Sequence, residues 1–107
     1  MYSINGTKIN LTRGDTFKAQ ISIKQGTQTY NPANGDVIRF AMKRRYFDEE
    51  ALITKTIPNA TLLLELEPED TKELEFGDYV FDIQITFANG DIDTFISGTL
   101  KLVEEVD

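Results

Sequence analysis

Apolar residues fall at every second position along much of this chain, in runs separated by glycine- or proline-containing breaks. Phe17, Ala19, Ile21 and Ile23 alternate with Lys18, Gln20, Ser22 and Lys24, and Ile38, Phe40 and Met42 alternate with Arg39, Ala41 and Lys43. Successive side chains of an extended chain point to opposite faces, so each run predicts a strand with one buried and one wet face. Leu62, Leu64 and Leu66 form a third row, although Leu63 makes its outer side partly apolar, and residues 52–57 read as a weaker strand suited to a sheet edge. No segment carries a 3.6-residue period long enough for a major helix. The expected class is all-β.

The last hairpin predicts its own register. Asn89-Gly90 is the residue pair of a two-residue type I′ turn, in which both central residues take positive φ. Counting outward pairs Phe87 with Ile92, Ile85 with Thr94, Ile83 with Ile96, Phe81 with Gly98 and Tyr79 with Leu100. Both apolar rows then share one face, and a one-residue slip would send a row to solvent. Gly98 would leave room for the Phe81 ring or for a close approach by the opposite sheet. On the outer face, Asp82 meets Ser97 and Asp93 meets Thr86, while Phe95 points outward. Gln25-Gly26 reads as a similar hairpin, pairing Ile23 with Gln28 and Ile21 with Tyr30, and Asn5-Gly6 as another tight turn. Pro32 and Asn34-Gly35 punctuate a loop. Pro68, followed by Glu69 and Asp70, suits one helical turn with Leu74 folded back onto the core.

Entry into the strongest strand is through Gly77-Asp78-Tyr79, with Phe81 two residues beyond the tyrosine. That is the layout of the E–F corner of immunoglobulin-like sandwiches, in which a Tyr hydroxyl bonds back to upstream backbone. Tyr79 opens a row otherwise made of Phe81, Ile83, Ile85 and Phe87, so its hydroxyl is expected to reach the turn at residues 69–74. The expected fold is therefore an immunoglobulin-like antiparallel β-sandwich of about seven or eight strands with one short helical turn. At 107 residues the chain reads as a single domain, 1–107, since a second core would have too little chain to close around. Residues 104–107 read as a tail.

Composition removes most chemistry. The chain has neither Cys nor His, so it has no disulfides, no thiolate nucleophile, no general base of ordinary pKa near neutrality and none of the usual zinc ligands. It is expected not to be an enzyme and to carry no cofactor. A net charge of −7 argues against nucleic acid, whose phosphates need a basic face. Residues 65–82 hold eight carboxylates against one lysine, Lys72, a field that suits solubility or a basic partner. Met1-Tyr2-Ser3-Ile4-Asn5 has no charged, apolar leader, and no stretch approaches the roughly 20 apolar residues of a membrane helix. Synthesis in a cytoplasm and no membrane partner are expected.

Arg13-Gly14-Asp15 lies where a glycine turn between strands is needed, which is favoured over an integrin-type tripeptide. Lys43-Arg44-Arg45-Tyr46-Phe47 combines cations and aromatics, but Asp48-Glu49-Glu50 neutralises it at once, so a solvated loop is favoured over nucleic-acid contact. Tyr46 and Phe47 must then cover their own domain or anchor a protein partner. Phe95 joins them as an interface candidate. Asp78, Asp82, Asp91 and Asp93 are oxygen ligands suited to Ca²⁺ in kind, but no loop has the spacing of an EF-hand, so surface carboxylates and no metal are expected.

Thr12-Arg13-Gly14-Asp15-Thr16-Phe17, Asn34-Gly35-Asp36-Val37-Ile38-Arg39-Phe40, Glu69-Asp70-Thr71 with Leu74, Gly77-Asp78-Tyr79-Val80-Phe81-Asp82-Ile83 and Thr94-Phe95-Ile96-Ser97-Gly98-Thr99-Leu100 occur in that order. Together they resemble small tail-associated structural proteins of phages and prophages of Gram-positive bacteria, and are similar to the N-terminal domain of baseplate upper proteins. The resemblance covers nearly the whole chain. It implies a non-enzymatic virion, tail or baseplate-type component that works through contacts with other phage structural proteins or with copies of itself, made in the bacterial host cytoplasm and then carried in the virion. The alternative is a carbohydrate- or calcium-binding β-sandwich module of a bacterial surface protein.

Overall fold

The alternating rows assemble into two facing layers. A computed structural model describes residues 2–104, the side chains of Ser3 and Asn5 excepted; the remainder of the tail read for 104–107, and Met1 of the leader reading, lie outside the described residues. The strands are β1 (Tyr2–Asn5), β2 (Lys8–Thr12), β3 (Phe17–Gln20), β4 (Ile23–Gln25), β5 (Gln28–Tyr30), β6 (Val37–Lys43), β7 (Ile53–Ile57), β8 (Leu63–Leu66), β9 (Gly77–Thr86) and β10 (Ile92–Val103), with one helical turn, α1 (Pro68–Thr71). Six of them form one sheet in the order β1-β2-β10-β9-β6-β7, and the β3–β8 ladder and β4–β5 hairpin supply the opposing layer. Every pairing is antiparallel except β2 with β10, which is parallel. The fold is an all-β, immunoglobulin-like sandwich. Ten strands among the described residues exceed the expected seven or eight, partly because the run through Phe17 and Ile23 is divided. At that break the Ile21 N–H leaves the ladder and donates to the Leu62 carbonyl at 2.9 Å.

The inward residues of both layers form one core that includes Leu11, Phe17, Phe40, Leu66, Ile85 and Leu100, all fully buried. Burying each such side chain contributes about 1.5–3 kcal/mol. β7 is a sheet edge, as its weak pattern predicts. α1 opens with Pro68 and is closed at its start by the Glu67 N–H, which donates to the Asp70 carboxylate at 2.7 Å. Lys55 of β7 then reaches Asp70 at 2.8 Å.

The β9–β10 hairpin corrects the expected turn. Gly90 has φ 96° and Asn89 does not have positive φ, so the type I′ geometry, which needs both, is absent. Instead the Gly90 N–H donates to the Phe87 carbonyl and the Phe87 N–H to the Asp91 carbonyl, each at 2.8 Å. The loop therefore has three residues, a tight turn followed by a left-handed glycine. This offsets the nearby register by one: Ile92 faces Thr86, Asp93 faces Ile85 and Thr94 faces Gln84. Phe95 is then the extra residue of a β-bulge, after which Ile96 faces Ile83, Gly98 faces Phe81 and Leu100 faces Tyr79, as the hydrophobic rows require. The two-residue loop of the β4–β5 hairpin is Gly26-Thr27, so Ile23 pairs with Tyr30 rather than with Gln28. Gly26 has φ 64° at the first central position, which a turn of the II′ kind uses.

Candidate interaction surface

Tyr46 and Phe47 occupy the centre of a hydrogen-bonded turn beyond the end of β6. The Asp48 N–H donates to the Arg45 carbonyl and the Arg45 N–H to the Asp48 carboxylate, both at 3.1 Å. Asp48 is thus the device that closes the turn, and Lys43 Nζ holds the Asp48 carbonyl at 2.8 Å. The two aromatic side chains, at the central positions, do not fold back onto the domain: Tyr46 is 67% and Phe47 76% exposed. Arg45 lies over the Phe47 ring with its guanidinium carbon 5.1 Å from the centroid. The loop returns to the sheet through the Leu52 N–H, which donates to the Met42 carbonyl.

The base of this loop is fixed to the sandwich corner. Arg44 lies 4.7 Å over the Tyr79 ring, and its buried Nη1 has no hydrogen-bond partner among the described residues. Attraction to the aromatic face is what compensates it. Arg44 also packs so close to Gly77 that a Cβ there would lie 3.0 Å from Nη2. Tyr79 is buried, and its hydroxyl donates to the Glu75 carbonyl at 2.7 Å. The tyrosine corner is present, with its acceptor one residue past the expected 69–74 turn. The Arg13-Gly14-Asp15 turn packs on the same corner. Its Gly14 N–H donates to Thr71 Oγ1 at 2.9 Å, Arg13 donates to the Leu74 carbonyl at 3.2 Å, and the guanidinium sits 4.1 Å over Phe76. This tripeptide is half-buried and internally engaged.

Phe95 is corrected as an outward anchor. Because the bulge turns two successive residues toward the same layer, Phe95 and Ile96 are both half-buried and both pack against the core. Gly98 is buried beside Phe81 as expected, but its second neighbour is backbone of its own sheet: the Thr99 N–H donates to the Thr7 carbonyl at 3.0 Å, which brings the β1–β2 turn over Gly98. Asp82 faces Ser97 as expected. Among the described residues, no group of three or more carboxylates is placed to hold a metal ion, and no helix is long and apolar enough to cross a membrane.

One polar centre was not legible in the sequence. Asp36 is buried, with one carboxylate oxygen accepting the Tyr30 hydroxyl at 2.5 Å and the Ala33 N–H at 2.9 Å, and the other accepting the Ala88 N–H at 3.1 Å. Its carbonyl accepts Asn59 Nδ2 at 2.8 Å. Three loops meet on this one residue. The Tyr30 hydroxyl first, then the Ala33 and Ala88 N–H groups, hold its carboxyl below the ordinary range, and Tyr30 is correspondingly raised by donating to it. Only the Asn34-Gly35-Asp36 turn signal hinted at it.

No family model matches the chain, and no curated protein matches it in sequence. Among solved structures it is similar to CopC from Methylosinus trichosporium OB3b, at 12% identity and a TM-score of 0.48 over 92% of this chain and 85% of that one.

Proposed function

We propose that this protein is a non-enzymatic structural or assembly domain of a phage virion, a tail or baseplate-type component acting through contacts with other virion proteins or with copies of itself. The observation that carries the reading is the turn at residues 45–48. It holds two exposed aromatic side chains on a base pinned by Arg44 and Lys43. An aromatic anchor already held in place loses little freedom on binding, and aromatics with arginine are enriched at the centres of protein interfaces. The order of motifs that resembles tail-associated proteins supplies the kind of partner.

The test is an affinity pull-down from induced lysogens of a Gram-positive host, read by mass spectrometry, beside sedimentation of the purified protein. Recovery of tail or baseplate proteins, or a concentration-dependent oligomer, is expected. A monomer at high concentration that recovers no virion protein overturns the reading.

A further inference from the structure

The outer face of the six-stranded sheet contains a hollow built by register. Thr54 of β7, Ala41 of β6 and Asp82 of β9 are cross-strand neighbours, and Arg39, two residues along β6, faces Gln84. Side chains two apart on a strand share a face, so the Ala41 methyl lies at the floor between the long side chains of Arg39 and Lys43. Glu49, from the loop after β6, closes one side. The hollow has a volume of about 260 Å³. A smaller cleft of about 60 Å³ shares Ala41, Lys43 and Asp82 and is walled by Tyr46 and Val80.

The lining has hydrogen-bonding capacity that the protein does not use. Asp82 and Gln84 are half-buried, while Arg39, Thr54 and Glu49 at the rim are exposed to water, and none of the five makes a side-chain hydrogen bond to another protein group among the described residues. Lys43 gives one donor to the Asp48 carbonyl and keeps two. The charges balance, two cations against two carboxylates. An anion entering the hollow would meet Asp82 and Glu49, and a cation would meet Arg39 and Lys43. The ligand that satisfies all of these groups is neutral, carries several groups that both donate and accept, and has an apolar face for Ala41, Val80 and the Tyr46 ring. A sugar ring has that combination, since each hydroxyl both donates and accepts and the ring C–H groups form a flat apolar side.

We propose that this hollow and the adjoining cleft together bind a neutral saccharide unit, its hydroxyls held by Arg39, Lys43, Asp82 and Gln84 in the hollow and one ring face resting against Ala41 and against Tyr46, which walls the cleft. The site stands on the sheet register and its unspent polar groups, and does not depend on the assembly reading.

Two-dimensional NMR of the isotope-labelled protein, titrated separately with glucose, galactose, N-acetylglucosamine and rhamnose, tests it. At least one sugar should produce saturable shifts confined to the amides around Ala41, Asp82, Gln84 and the 44–51 loop. Ala41→Leu, which fills the floor, and Gln84→Ala, which removes a donor and acceptor from the wall, should each weaken binding about tenfold or more. Gln84→Ala carries the test should Ala41→Leu disturb the sheet, and thermal melts of both variants report that. Phe47→Ser should leave sugar binding unchanged, which separates this site from protein association. The proposal is overturned by an absence of saturable shifts with all four sugars, by shifts that Gln84→Ala leaves unaltered, or by a stronger response to inorganic phosphate than to any sugar.

Discussion

A Cβ at position 98 would overlap the carbonyl oxygen of Thr7 and lie 2.9 Å from the Phe81 ring. Neither neighbour can retreat cheaply, because that carbonyl is bonded to the Thr99 N–H and Phe81 lies in the core. Gly98→Ala should therefore destabilise by about 1–3 kcal/mol, even after the smaller unfolded-state entropy of alanine is counted in its favour. Denaturant melts measure it, and a variant as stable as the parent would mean that the Thr7 turn does not cover Gly98. Asp36 gives a prediction of a different sort. Its carboxyl has an ordinary value of 3.8 and lies lower in the folded protein, chiefly because Tyr30 donates to it. The linked stability is present in full above the ordinary value and is lost as pH falls through the lower folded one. The same bond raises Tyr30 above 10.0, so its contribution is complete below that value and disappears as pH rises through the folded one. Asp36→Asn should be less stable than the parent at neutral pH, with the gap narrowing as the solution is acidified. Denaturant midpoints across the acid range should converge, and two parallel curves would show that the carboxylate is not linked to folding.

Elements were legible where two independent constraints agreed, and were misread where one stood alone. In the β9–β10 hairpin the pairing of Ile83 with Ile96 and of Phe81 with Gly98, on which the count from Asn89-Gly90 and the hydrophobic rows agree, is the one observed, while the loop length, which rests on Asn89-Gly90 alone, is one residue too short. The error cancels at Phe95, because a three-residue loop and a bulge together restore the register that the core demands. The sequence carries no sign of that bulge, and so Phe95 reads as outward when it is half-buried. Asp36 was missed for a related reason: its partners, Tyr30, Ala33, Ala88 and Asn59, come together only after three loops have met. Tyr46 and Phe47 were legible as a pair in need of cover because the charges around them prevent the loop from entering a core. The two turn geometries make separable predictions. Gly90 alone takes positive φ, so Gly90→Ala should cost about 1–2 kcal/mol. Asn89→Ala should cost only about 0.5 kcal/mol, since it loses two exposed bonds, one from the Asp91 N–H to Asn89 Oδ1 and a long one from Asn89 Nδ2 to the Asp91 carboxylate. Equal and large losses at both positions would restore the two-residue turn. Leu62, the one non-glycine of positive φ among the described residues, has φ 53° with a branched side chain and sits where the chain crosses from β7 to β8.

At the scale of the whole molecule the proposed assembly role asks what would hold one copy to another, or to a virion protein. The chain carries a net charge of −7, so identical copies repel at low ionic strength, and added salt should strengthen self-association rather than weaken it. In the proposed assembly the attraction would come from apolar surface, and Phe47, 76% exposed, is the most exposed large apolar side chain on the turn. Its substitution removes no core contact, because the turn is closed by Asp48 and anchored by Arg44 and Lys43. Phe47→Ser should consequently leave the melting transition within about 0.5 kcal/mol of the parent, while costing about 2 kcal/mol or more of association, roughly thirtyfold in Kd, as expected for an aromatic at the centre of an interface. Sedimentation of both proteins at low and moderate salt, with the pull-down repeated on the variant, measures both quantities. Association that survives Phe47→Ser and Tyr46→Ser unaltered would place the contact elsewhere on the sandwich and remove the observation on which the assembly reading rests.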